Sequence, residues 1–326
     1  MVRRIVGAIS RRAGASEGDV GRAELAVTEL ATNLLRHAAP GGSILVRPLA
    51  THGSRGVEVM SIDRGPGMRD TRASIHEGPP KLGGPSLGVG LGSVRRLSTQ
   101  FDIYSRLGEG TAVLSRHAFG DAPKAGPLEV GGVSLAQQGE SVSGDGWAIA
   151  SSRSPCSALL VDGLGHGPKA GEAAEAAIAA LGKGYMGDIE GYVRQANTAM
   201  RETRGGVIGL ARIDIDQARV QFVGIGNIQG RVILPGRTRI LTSRNGTLGV
   251  SMTPPETRVD SHPWAPGGIL MLHSDGIRVA LDARTSPSLF QHDASVIAAV
   301  LMRDGIRGTD DASVVVVKDT RGGIAS

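Results

Sequence analysis

The sequence predicts an α+β fold laid out as two domains. Three observations carry that expectation. The length of 326 residues suits two domains of ordinary size. The predicted elements run as helices with strand pairs, then strands, helices and more strands, which is not the alternation of a βαβ protein. The two halves do not resemble each other, and residues 117–130 read as the connection between them. We set the domain limits at 1–118 and 131–320, with 119–130 as the linker. The chain is 40% hydrophobic but only 3% aromatic, so both cores must be built from Val, Leu, Ile and Ala.

The elements follow in order. Residues 1–38 read as two helices broken at Ala13-Gly-Ala-Ser-Glu-Gly18, the second stopped by Pro40-Gly-Gly42. Ser43–Leu49 and Gly56–Ile62 read as a strand pair. Asp70–His76 is a short helix, and Glu77–Gly88, rich in Gly and Pro, is a loop. Gly92–Thr99 is helical. Phe101–Ser105 and Thr111–Ser115 form a hairpin through Leu107-Gly-Glu-Gly110. Beyond the linker come strands near Val133–Gln138, Trp147–Ser152 and Ser157–Val161, then helices near Lys169–Leu181 and Ile189–Glu202. Strands follow at Gly206–Asp214, Arg219–Ile225, Gln229–Leu234, Arg237–Leu241 and Ile269–Ser274, then a helix over His292–Arg303 and a last strand over Ala312–Lys318.

Charge and cysteine narrow the function classes. Residues 1–120 hold 16 Lys+Arg against 10 Asp+Glu, and the rest of the chain 20 against 21. With no dense basic run and little aromatic interleaving, nucleic acid is not expected as a partner. Cys156 is the only cysteine, so no disulfide and no cysteine-based zinc site forms within the chain. No apolar run approaches a membrane span, and the first residues lack the apolar stretch of a signal peptide. The expectation is a cytoplasmic protein with no membrane partner.

Two groups of residues carry chemistry. In the first half, Glu29, Asn33 and His37 share one face of a helix. An Asn amide oxygen suits a hard cation such as Mg²⁺ on phosphates, and a Glu can take a proton from an attacking hydroxyl. The same spacing also fits a plain solvated stripe. Asp63-Arg-Gly65-Pro-Gly67 follows a strand, where a carboxylate beside glycines can accept from an exocyclic amine such as that of adenine. Gly88-Val-Gly90-Leu-Gly92 adjoins a helix start, whose N–H groups favour phosphate.

The order and spacing of these motifs, with Gly110-Thr111 last, resemble the GHKL family of ATPases, over most of residues 1–118. Glu29 four residues before Asn33 resembles the anti-sigma-factor and switch-kinase branch (RsbW and RsbT types), whose members phosphorylate Ser or Thr on a small antagonist domain. The resemblance implies a two-layer α/β sandwich that binds ATP. Asn33 would hold Mg²⁺, Asp63 the adenine, Glu29 would be the base, and Gly88, Gly90 and Gly92 the phosphate lid. Gly65, Gly67 and Thr111 would complete the nucleotide site. Family members usually carry a strand before the first helix, and here only about three residues precede it, which puts the sheet edge and any homodimer contact there in doubt.

In the second half, Asp145, Asp162, Asp275 and Asp310 fall at strand ends or turns beside Gly or Asp. Any one of them alone reads as an Asp-Gly turn. Together, next to apolar runs, they suit a cage for Mg²⁺ or Mn²⁺, and two ions on a shared carboxylate can activate a water and clamp a phosphate. The motifs Ser143-Gly-Asp145-Gly-Trp, Val161-Asp162-Gly163-Leu-Gly-His166-Gly167, Ser274-Asp275-Gly276 and Asp310-Asp311-Ala-Ser resemble the SpoIIE and RsbX branch of the metal-dependent serine/threonine phosphatases, the type 2C superfamily. The resemblance covers about Val130–Lys318 and implies a four-layer αββα sandwich. Asp162 would bridge both ions and act in catalysis, Gly163 would give a carbonyl, and Asp145, Asp275 and Asp310 would complete the set, with Asp311 the alternative at the last position. His166 reads either as a proton donor to the leaving alkoxide or as a structural turn residue. Trp147, Trp264 and Cys156 read as packing.

Kinase-like and phosphatase-like halves in one chain imply a bacterial signalling regulator. Its partners would be a phosphorylated antagonist protein of STAS type, a sigma factor, or both. The alternatives are a first half that binds nucleotide and partner without transferring phosphate, a scaffold with both sites inactive, and a small-molecule phosphohydrolase.

Overall fold

The computed structural model describes residues 1–322 apart from 40, 52–53, 77–88, 121–125, 152, 183–187 and 280–285. The loop expected at 77–88, with Gly88, lies outside the described residues. The chain separates into two compact units, Met1–Ala125 and Gly126–Ser326.

The first unit opens with α1 (Val2–Arg12) and α2 (Glu17–His37). Ser16 caps α2 by accepting a hydrogen bond from the Asp19 N–H at 3.1 Å. Glu17 and Asp19 in the first turn and Arg36 and His37 in the last complement the helix dipole. Then come β1 (Gly42–Thr51), β2 (Ser54–Asp63), α3 (Thr71–His76), α4 (Val89–Leu97), β3 (Gln100–Arg106) and β4 (Gly110–Phe119). The four strands form one antiparallel sheet in the order β1-β2-β4-β3. Helices cover one face, where Val6, Val27, Leu30 and Val94 pack on Val57, Val59 and Val113. On the opposite face, Arg47, Glu58, Arg116 and Gln100 stand in register across all four strands. Burial acts to raise the Glu58 carboxyl, but the Arg47 and Arg116 guanidiniums outweigh it and hold it below its ordinary range. No strand precedes α1 among the described residues.

The second unit is a four-layer αββα sandwich. Its strands are β5 (Leu128–Leu135), β6 (Asp145–Ile149), β7 (Cys156–Gly163), β8 (Gly206–Asp214), β9 (Arg219–Ile225), β10 (Gln229–Leu234), β11 (Arg237–Leu241), β12 (Asp260–Pro263), β13 (Ile269–His273) and β14 (Ala312–Asp319). One five-stranded sheet runs β11-β10-β13-β14-β5, and the other β12-β9-β8-β7-β6. Between the sheets lie Leu160, Phe222, Val232, Leu270 and Val315. Helices α5 (Pro168–Gly182) and α6 (Ile189–Met200) cover β6–β9, their Ala173, Ala177 and Tyr192 packing on Leu159 and Leu210. Helix α7 (Ala294–Gly305) lies on β5 and β14.

Three expectations need correction. Residues 128–130, placed in the linker, are the start of β5, because Leu128, Glu129 and Val130 pair with Asp319, Lys318 and Val317 of the last strand. The helix expected from Gly92 starts at Val89, so Gly90 and Gly92 sit inside its first turns rather than before it. Strand β12 was not anticipated: Asp-Ser-His-Pro has no apolar alternation, and it forms only as an edge strand against β9. The packing roles expected for the tryptophans and the cysteine hold. Trp264 is buried with Nε1 donating to Asp319 at 2.9 Å, Trp147 packs against the inter-sheet core, and burial pushes the Cys156 thiol up to about 12.

Candidate functional sites

In the first unit, α2 presents Leu30, Asn33, Leu34 and His37 to a cleft of about 520 Å³ whose other wall holds Ser61, Asp63, Gly67, Met68 and Thr111. Asp63 ends β2, and its Oδ1 accepts the N–H groups of Gly65 at 2.8 Å and Thr111 at 3.2 Å. That fixes the carboxylate at the cleft wall and ties the Asp63–Gly67 turn to β4. Ser105 adds a second tie, accepting from the Met68 N–H at 2.8 Å and lying 2.9 Å from the Thr111 hydroxyl. Sequence reasoning missed Ser105, which belongs to no motif.

Glu29 lies one turn before Asn33 on α2, and both side chains meet the first turn of α4. A Cβ on Gly90 would stand 3.0 Å from Asn33 Oδ1 and 3.1 Å from Glu29 Oε2. So α4 comes close to both side chains at Gly90, and its N-terminus, whose first N–H groups have no partner within the helix itself, is brought to the Asn33 amide. Gly92 does not reach that point; its backbone packs against Ile75 of α3.

In the second unit, Asp162, Asp275 and Asp310 line one open cleft of about 590 Å³, with Asn227, Asn245 and His166 on its walls. Asp145 is paired with Asp162 across β6 and β7, so their side chains project on the same side of the sheet. The Ser274 hydroxyl donates to Asp145 Oδ2 at 2.6 Å and accepts from the Ser313 N–H at 2.9 Å. Asp275 Oδ2 accepts from the Asn227 amide at 2.7 Å. Gly163 is buried, its N–H bonded to the Gly144 carbonyl at 3.0 Å.

The carboxylates here act on one another. Burial, reinforced by Asp145, Asp275, Asp310 and Asp311, pushes the Asp162 carboxyl up to about 8. Burial also pushes Asp145 up to about 7; the Ser274 hydrogen bond opposes that rise, and Asp311 and Asp310 add to it. Among the described residues no three His, Cys, Asp or Glu side chains stand together as an ion-holding group. An ion here would therefore keep waters and use one or two carboxylates, the usual habit of Mg²⁺ and of similar hard cations. The all-oxygen donors and the mutual repulsion fit such ions.

Asp310 and Asp311 divide their work. Asp310 faces the cleft, its Oδ1 accepting the Asp311 N–H at 2.9 Å. Asp311 is buried, and its two oxygens accept the N–H groups of Gln137 and Gly144, each at 2.7 Å. It holds together the loop that connects β5 to β6. Asn227, Gln137 and Glu140, whose carboxylate meets His166, were not found from sequence. Each is a single polar residue in a turn, without a repeat or spacing to mark it.

Comparison with known proteins agrees with both halves. Residues 1–116 match the model of the histidine kinase-like ATPase domain, and residues 154–318 match that of stage II sporulation protein E (SpoIIE). The serine/threonine-protein kinase RsbT of Bacillus subtilis is 34% identical over 105 residues, covering 32% of this chain and 77% of that protein. The phosphoserine phosphatase RsbX of the same organism is 26% identical over 147 residues, covering 44% of this chain and 72% of that one. A crystal structure of RsbX in complex with magnesium superposes with a TM-score of 0.52 at 21% identity, covering 59% of this chain and 94% of that one, which shows a shared fold. No described helix is long and apolar enough to cross a membrane. With a histidine kinase-like, RsbT-related domain ahead of a SpoIIE domain similar to RsbX, the chain belongs to the SpoIIE family.

Proposed function

We propose that this protein is a partner-switching regulator whose second unit removes phosphate from phosphoserine or phosphothreonine of a STAS-type antagonist. The observation that carries this is the cleft of mutually repelling carboxylates, with Asp162 pushed up to about 8 and Asp145 to about 7. A site of mutually repelling carboxylates is suited to divalent cations and, through them, to a phosphate dianion. Asp162, Asp145, Asp275 and Asp310 are the residues that would hold Mg²⁺ or Mn²⁺, with the Gly163 carbonyl. Bound there, the ions supply an activated water and charge neutralisation. The protein itself orients the carboxylates, through Ser274 for Asp145 and Asn227 for Asp275. Asp311 acts as the loop clamp, each of its oxygens accepting a backbone N–H group.

The first unit would bind ATP with Mg²⁺, Asp63 receiving the adenine amine and Asn33 helping to hold the ion. Gly65, Gly67, Gly90 and Thr111 shape the pocket. Glu29 is the base of a serine kinase in this reading. What favours kinase over mere nucleotide binding is that Glu29 shares with Asn33 the contact with the first turn of α4.

The test uses a STAS-type domain in phosphorylated and unphosphorylated forms, ideally the partner encoded nearest this protein. With Mn²⁺, phosphate should leave the first form. With ATP and Mg²⁺, it should be transferred to the second, and not by Glu29→Ala. No release from any phosphorylated form would defeat the phosphatase reading. Equal transfer by wild type and Glu29→Ala would leave the first unit a binding module.

A further inference from the structure

The rim of the metal cleft carries apolar side chains that no core takes up. Leu164, which lines the cleft, is 41% exposed, and beyond it stand Val250 at 61% and Met252 at 79%. Single exposed aliphatic groups are ordinary, but these are gathered on one stiff platform. The 248–252 segment lies between β11 and β12, and it is pinned from below. Leu248 and Gly206 exchange two backbone hydrogen bonds, of 2.8 and 3.1 Å. The buried Asn197 amide of α6 accepts from the Gly249 N–H at 2.9 Å and donates to the Ser251 carbonyl at 3.0 Å. Gly249 adopts φ +84°, and a Cβ there would stand 2.8 Å from the Met200 carbonyl oxygen, so the turn lies close on the end of α6. Val250 and Met252 flank Ser251, and both are held outward.

Leu164 joins the same platform. Its N–H donates to the Gly205 carbonyl at 2.9 Å, and a Cβ on Gly205 would stand 3.2 Å from Val250 Cγ1. The cleft wall, the turn between α6 and β8 and the 248–252 segment are therefore one continuous surface. Arg201, Arg204 and Arg244 are exposed on it, and none is ion-paired among the described residues. Arg201 Nη1 lies 3.1 Å from Met252 Sδ. Arg204 Nη1 lies against Gly165 of the cleft wall, 2.9 Å from where a Cβ would stand. Arg244 precedes Asn245, which lines the cleft. Glu202 and Glu256 are the exposed carboxylates of the same segments, so the excess charge is positive.

We propose that this rim is the docking surface for the protein that carries the phosphoserine, and that the matching face of that protein is apolar with an acidic border. The inference rests on the phosphatase reading above. A phosphoserine on a folded domain enters the cleft with that domain resting on the rim, so the occupant of the rim is the substrate itself. Apolar groups on a pinned segment lose little freedom on contact, and covering them supplies affinity. The unpaired arginines favour an acidic partner, speeding encounter and fixing its orientation. A small aryl phosphate reaches the cleft without touching Val250 or Met252.

The experiment measures kcat and KM of the full chain, with Mn²⁺, on a phosphorylated STAS-type domain and on p-nitrophenyl phosphate. Val250→Ser combined with Met252→Ser should lower kcat/KM on the domain about 10-fold or more, chiefly through KM, and leave the aryl ester unchanged. Arg201→Glu should by itself raise KM for the domain about 10-fold, again with the aryl ester unchanged. Unchanged kinetics on the domain, or equal losses on both substrates, would overturn the docking surface and leave the phosphatase reading standing. A silent Arg201→Glu would overturn the acidic border. Turnover of the aryl ester but not of the domain would overturn the proposed occupant. A wild-type dimer in sedimentation that the Val250→Ser, Met252→Ser protein no longer forms would make the patch a contact between copies instead. Hydrolysis of neither substrate by the wild type would overturn both readings.

Discussion

Asp162 is where the sharpest prediction at the residue scale lies. Its carboxyl is pushed from an ordinary 3.8 up to about 8 in the folded, metal-free protein. Between those values the folded state keeps a proton that the unfolded chain has released. By linkage, Asp162 therefore lowers stability progressively as pH rises through that window. Asp162→Asn removes this term. In the presence of a chelator, the variant should melt higher than wild type, and the gap should widen from about pH 5 to about pH 8. A gain of about 2 kcal/mol would appear as roughly 4–8 °C for a domain of this size. A gap that stays constant with pH would show that the carboxylates do not repel one another as described. The motif around Asp162 was legible in sequence because an apolar run, Ala158-Leu-Leu-Val161, delivers an Asp-Gly directly to a strand end. Asn227 and Glu140 were not legible. Their meaning lies in contacts 48 and 26 residues away, which no local pattern encodes.

At the scale of elements, α4 carries a conflict between helix stability and site geometry. Gly90 and Gly92 lie within a nine-residue helix where alanine would be the better helix former by about 1 kcal/mol each. At Gly90 a Cβ would stand against Asn33 and Glu29, which must then give way. Gly90→Ala should leave the melting temperature of the first unit unchanged or higher, yet weaken ATP·Mg²⁺ binding about 10-fold or more by calorimetry. Unchanged affinity would separate α4 from the nucleotide. The three glycines read in sequence as a loop ahead of a helix, since glycine ordinarily punctuates. The structure starts the helix at Val89, with Gly90 and Gly92 within it. Most other elements could be read from periodicity, because each buries a continuous apolar face. β12 could not, since it has no apolar face and depends on β9 alone.

For the whole molecule, each unit has a core of its own: one between helices and sheet in residues 1–125, and two around the paired sheets of residues 126–322. The ligands of the two halves should therefore act on separate transitions. ATP with Mg²⁺ should raise the melting temperature of an isolated 1–125 fragment, and Mn²⁺ that of a 126–326 fragment, with stabilisation growing as the logarithm of ligand concentration. Neither fragment folding alone would contradict the independence of the cores. The two-part organisation was visible in the sequence through the change of pattern. The exact join was not, because β5 opens with Leu128-Glu-Val130, which resembles the linker before it and becomes a strand only by pairing with the end of the chain.

The central claim is that the acidic cleft of the second unit is a working metal-dependent phosphatase site. Hydrolysis of p-nitrophenyl phosphate by wild type and Asp162→Asn, each with and without Mn²⁺, tests it most directly. The account predicts Mn²⁺-dependent turnover in the wild type that falls by about 1,000-fold or more in a folded Asp162→Asn protein, the scale expected when charge stabilisation of the transition state is removed. Turnover that survives the substitution, or a wild type that neither binds Mn²⁺ nor releases phosphate, would contradict it.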